Sequence, residues 1–142
     1  MAVIADPRPR RALHPLHAFL LAGTVPLFLG AVLNDIAYAS SYQIQWANFA
    51  SWLIAGGLVL GACVLAWAVV DLIRADRRDR RQLAYALLLL ATWALGFINA
   101  LVHARDAWAS MPAGLVLSAI VAALAGAAAW IGFFGIRAGG GA

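Results

Sequence analysis

The residues able to do chemistry in this chain are three histidines and a few acids and amides, and they gather at two heights. His14 and His17 open the first long apolar segment, and Asp71 closes the second. Positions three apart share a helix face, and Pro15 between the histidines suits a first helical turn. Two imidazoles and a carboxylate can hold a divalent metal or pass protons. The plainer reading has interfacial histidines bonded to lipid headgroups, with Asp71 paired to Arg74.

The second group is Asn34 and Asp35, near the end of the first segment, with Asn99 and His103 at the end of the third. At a helical rise of 1.5 Å per residue, Asn34 lies about 27 Å from Leu16 and Asn99 about 24 Å from Leu83. Both pairs therefore reach the same depth, just inside the far interface. Asn99 and His103 are four apart and share a face. Polar groups inside a span are functional candidates by default. The structural alternative is a hydrogen-bonded clasp between helices, worth about 1 kcal/mol.

Haem is constrained by this layout. Two axial histidines must oppose each other at one depth, whereas His14 and His17 share one face and His103 stands far from both. The isolated chain is expected to carry no stoichiometric haem. Haem b would need one axial histidine with another ligand type, or a ligand from a partner chain; a divalent metal at His14, His17 and Asp71 is the other cofactor reading. The sequence has no C-x-x-C-H, glycine-rich phosphate loop or H-E-x-x-H. It shows no serine with a base and orienter either, so no catalytic residue is assigned. The single cysteine, Cys63, lies in an apolar run and reads as packing.

The elements that position these groups follow from composition. Hydrophobic residues fill 65% of the 142 positions and charged residues 11%, against about a quarter charged in soluble domains. Such a chain belongs in a bilayer. Four apolar segments stand out: 16–37, 46–70, 83–102 and 111–136. Each suffices for a hydrocarbon core that needs about 20 helical residues. The short links between them make sequential helices antiparallel neighbours. The expected fold is all-α, a four-helix transmembrane bundle running up-down-up-down. It comprises a basic segment 1–13, one transmembrane domain 14–137 and a flexible tail 138–142.

All ten basic residues are Arg. An even number of spans puts Arg8, Arg10, Arg11, the five arginines of 74–81 and Arg137 on one side, leaving Arg105 beside Asp106 on the other. The positive-inside rule then places both termini in the cytoplasm. This clustering suits a membrane better than a nucleic-acid groove. Ala37-Tyr38-Ala39 has the small-residue pattern of a signal cleavage site, but the preceding apolar run is longer than the apolar region of about 7–15 residues that a signal peptide carries.

Gly57-x-x-x-Gly61, and the stripe Gly114, Ser118, Ala122 and Gly126, offer small residues for close helix packing. Pro26 removes a backbone donor midway along the first span. Trp46, Trp108 and Tyr42 at one interface, with Trp67 and Tyr85 at the other, read as aromatic-belt anchors. Trp52, Trp93 and Trp130 lie deeper and read as core filling.

Residues 12–37 carry His-Pro-x-His at 14–17, then Pro26, then Asp35 near the end of the helix. With Trp46, Ala47, the 52–57 stretch, Asp71 and His103, this resembles the bacterial membrane family catalogued as domain of unknown function 2231, over about residues 12–134. The resemblance implies a four-helix membrane domain in the bacterial inner membrane. Some family members are fused or adjacent to redox modules, which implies a redox neighbourhood but assigns no residue a role.

The reading that best accounts for small extensions, short loops and tight stripes is a non-catalytic membrane subunit or accessory protein. Its partners would be lipids and other membrane subunits, or further copies of itself. A haem- or metal-binding electron-transfer protein is the alternative, and a small oligomeric transporter the second.

Overall fold

The computed structural model describes residues 13–75 and 80–135. The basic segment before residue 13, the 138–142 tail, and Arg77, Arg78 and Arg137 lie outside the described residues. Among the described residues there are no strands; the elements are α1 (Pro15–Ser41), α2 (Ile44–Arg74), α3 (Arg80–His103), α4 (Ala107–Ser110) and α5 (Ala113–Trp130), the last extended by a π-turn over Ile131–Gly135. Four helices are long and apolar enough to cross a membrane, with mean hydropathies between 1.9 and 2.5. The chain is thus a four-helix transmembrane bundle.

Local chemistry sets the helix ends. His14 Nδ1 accepts the Leu16 N–H at 3.3 Å and caps α1, with Pro15 in its first turn. Tyr42 then takes a left-handed conformation, φ 54°, and its N–H returns to the Tyr38 carbonyl at 2.8 Å. Only Tyr42 and Gln43 separate α1 from α2. The helix is continuous through Pro26. The short α4 falls in a stretch read from sequence as a plain link; it carries Trp108, which stacks on Tyr42 at 5.6 Å.

α1 packs against α2 and α5, and α3 packs against the same two, so α1 and α3 face each other across the bundle's diagonal. Alternate antiparallel helices run parallel, so α1 and α3 point the same way. Phe28 fills the space between them: a Cβ on Gly57 would come within 2.7 Å of its ring, and one on Gly96 within 3.6 Å. Apolar burial drives little association in lipid, so such close fits and interhelical hydrogen bonds hold the bundle together.

Two aromatic expectations are corrected. Trp52 and Trp130 are 72% and 67% exposed, so they face the lipid. They need no core position, because the surrounding solvent is itself apolar. Tyr85 is buried and belongs to the core rather than to an interfacial belt. Trp93 is half-buried; its indole N–H donates to the Leu58 carbonyl at 3.1 Å, and its ring stacks on Phe97.

Candidate functional site: two polar clasps on one diagonal

The larger polar cluster lies where α1 and α3 end and α5 begins. Asp35 is completely buried, and the His103 side chain is 1% exposed. His103 Nε2 meets Asp35 Oδ1 at 2.8 Å. The Ser118 hydroxyl of α5 donates to Asp35 Oδ2 at 2.6 Å. Asn99 Nδ2 donates to Ser118 Oγ at 2.8 Å. The other imidazole nitrogen, Nδ1, lies 3.0 Å from the Asn99 carbonyl oxygen. Three helices are joined through one carboxylate. Gly114 makes room for this: a Cβ there would sit 2.8 Å from His103 Cε1.

Of the four residues the sequence placed at this depth, Asp35, Asn99 and His103 meet. Asn34 does not join them. Its Nδ2 turns back to its own helix and donates to the Gly30 carbonyl at 2.7 Å. Ser118 is the member that sequence reasoning missed, because it sat in the small-residue stripe and was read as packing alone. A hydroxyl in an otherwise apolar span was the available signal. Asn99 Oδ1 remains buried without a hydrogen-bond partner.

The second clasp lies at the opposite end, where α1 begins and Arg74, Arg80 and Arg81 stand. His17 is 3% exposed, and its Nε2 meets the Tyr85 hydroxyl at 3.0 Å. Trp67 of α2 packs edge-on against His17 and lies 5.0 Å from the His14 ring. His17 Nδ1 is buried without a partner.

The proposed metal set is not gathered here. His14 is exposed and spends Nδ1 on capping α1, His17 is turned to Tyr85, and Asp71 is exposed. Among the described residues no three His, Cys, Asp or Glu side chains are placed to hold a metal ion. The physical reason is that His14 belongs to the cap and His17 to the helix body, so the two rings take different hydrogen-bond partners although both lie against Trp67. A shallow hollow of about 400 Å³ beside Cys63, Trp67, Asp71 and Arg74 lies on α2 alone.

The two clasps share one register. His17 and Tyr85 are 68 residues apart, and so are Asp35 and His103. Eighteen positions separate the clasps on each helix, which is five turns and about 27 Å. Among the described residues no side-chain hydrogen bond runs from one clasp to the other. Between them Thr24 and Thr92 are buried, but each hydroxyl donates to a carbonyl of its own helix, that of Leu21 and Leu88, at 2.7 Å.

The family described as predicted membrane protein (DUF2231) matches residues 13–134. The chain belongs to that family. The match covers both clasps and all four spans, so this DUF2231 protein carries its buried polar groups within the family's own extent. Neither the comparison with curated proteins nor that with solved structures returns a match.

Proposed function

We propose that this DUF2231 protein is a non-catalytic subunit of a larger assembly in the bacterial inner membrane, with both termini in the cytoplasm. The observation that carries the reading is the outward face of α5. Ala119, Ala123 and Ala127 are exposed at four-residue spacing, and a Cβ on the adjoining Gly126 would meet nothing within 4 Å. In lipid, small residues repeating in this way let a second helix approach closely. The polar groups of both clasps, by contrast, are turned inward and bind helices to one another. The redox neighbourhood implied by the family resemblance favours an electron-transfer assembly as the partner. The arginine clustering supports the orientation.

Cysteines placed singly at 119, 123 and 127 test the reading in native membranes. All three should crosslink to the same partner chain, while a cysteine at outward-facing Phe19 on α1 should not. Crosslinks to a second copy at all three positions would make the assembly a homo-oligomer. Crosslinks to no protein at any of them would remove the subunit reading. Reporter fusions at residues 76 and 142 test the orientation, and activity of a periplasm-only reporter at either site would reverse it.

A further inference from the structure

The hydrogen-bond directions around Asp35 leave one proton to place. The Asn99 carbonyl can only accept, so His103 Nδ1, 3.0 Å away, carries a hydrogen. Asn99 Nδ2 can only donate, so Ser118 Oγ accepts from it and directs its own hydrogen to Asp35 Oδ2. Asp35 Oδ1 and His103 Nε2 are then left facing each other at 2.8 Å. Without a hydrogen between them, two lone pairs would meet at that distance beside a fully buried carboxylate.

We infer that Asp35 and His103 form a membrane-embedded binding site for one proton, held between carboxylate and imidazole, and that this proton keeps α3 clasped to α1 and α5. The hydrogen can sit on oxygen, giving carboxylic acid and neutral imidazole, or on nitrogen, giving carboxylate and imidazolium. Either way the pair has no net charge, which suits a site out of water. Its loss leaves a net negative charge and opposed lone pairs. The proton leaves to bulk water at this end of the bundle, where His103 closes α3 and residues 104–106 are exposed.

The surroundings offer little to offset that charge. On α1 the nearest titratable group is Tyr38, buried one turn on. α2 has no titratable residue before Cys63, α3 none besides His103 back to Tyr85, and α5 none. Arg105 and Asp106, in the link to α4, are exposed.

The test uses the full chain in lipid nanodiscs with isotope-labelled histidine. The three ring signals are assigned with H14Q and H17Q, and the protein is titrated from acidic to alkaline pH by NMR. His103 Nδ1 should keep its hydrogen throughout, and one titration should report loss of the shared proton. Amide exchange over Asn99–His103 should rise severalfold across the same step. Asp35→Asn can donate an amide hydrogen to His103 Nε2 and still accept from Ser118, so it should stay folded and lose both the titration and the exchange step. A His103 that carries its hydrogen only on Nε2, with Nδ1 bare at every pH, would overturn the proton site. A titration with unchanged amide exchange would overturn its role in the clasp.

Discussion

The two ends of the α1–α3 diagonal are built alike and chemically opposite. At the arginine end, His17 and Tyr85 share a single hydrogen bond, backed by the Trp67 ring. At the other end, the same helices in the same register meet through an acid and a base, with Ser118 and Asn99 added from the side. Register alone therefore decides where the helices touch, and residue type decides what breaking the contact leaves behind. Parting His17 from Tyr85 leaves neutral polar groups. Parting His103 from Asp35 breaks up a shared-proton site that leaves a buried charge once the proton is lost.

The largest expected effect breaks the ionisable end. His103→Ala leaves the Asp35 carboxylate fully buried with Ser118 as its remaining hydrogen-bond partner. Removing one partner of a buried ion pair costs about 3–5 kcal/mol, and an SDS titration of the protein in mixed micelles should show a loss of that order. The double variant D35L/H103M removes both groups and should recover most of it, since a buried pair replaced by apolar residues is often neutral. A single variant as stable as wild type would show that water reaches Asp35.

Smaller effects should follow the shape of the site. Gly114→Ala puts a methyl 2.8 Å from His103 Cε1; overpacking of this kind costs about 1–3 kcal/mol. Gly126→Ala, on the same stripe, meets nothing within 4 Å, and should change bundle stability by about 0.5 kcal/mol or less. Both variants can be read in one SDS titration series. Equal losses would mean that the stripe packs uniformly and that Gly114 has no special duty toward the imidazole.

The spans, their number and their antiparallel order were legible because an 18-residue apolar window is a physical requirement of the bilayer. The depth of Asp35, Asn99 and His103 was legible for a similar reason: a fixed rise per residue converts sequence distance into height. Rotation about the helix axis was not legible. Asn34 and Asp35 are neighbours at one depth, yet only Asp35 faces the core, because successive helical residues point about 100° apart. Ser118 and Tyr85 were hidden for another reason. A hydroxyl can serve packing, an interface or a hydrogen bond, and which one applies depends on the helix opposite. The set of His14, His17 and Asp71 shows the same limit, since matched depth did not bring the three side chains to a common point.

The smallest expected effect tests the neutral end. Tyr85→Phe removes the hydroxyl that meets His17 Nε2 and leaves both nitrogens of a ring that is 3% exposed without a partner. In water-soluble proteins an orphaned group of this kind is costly. In a bilayer the unfolded helices also find partners for their polar groups, and interhelical hydrogen bonds average about 0.6 kcal/mol. The phenylalanine ring keeps the apolar contacts of Tyr85 in the cluster with Leu21, Val64 and Leu89. The loss in the same SDS titration should therefore be about 0.5–1 kcal/mol, well below that of His103→Ala. A loss as large as that of His103→Ala would mean that the Tyr85 hydroxyl stabilises a charged His17, and the two ends would then be chemically alike.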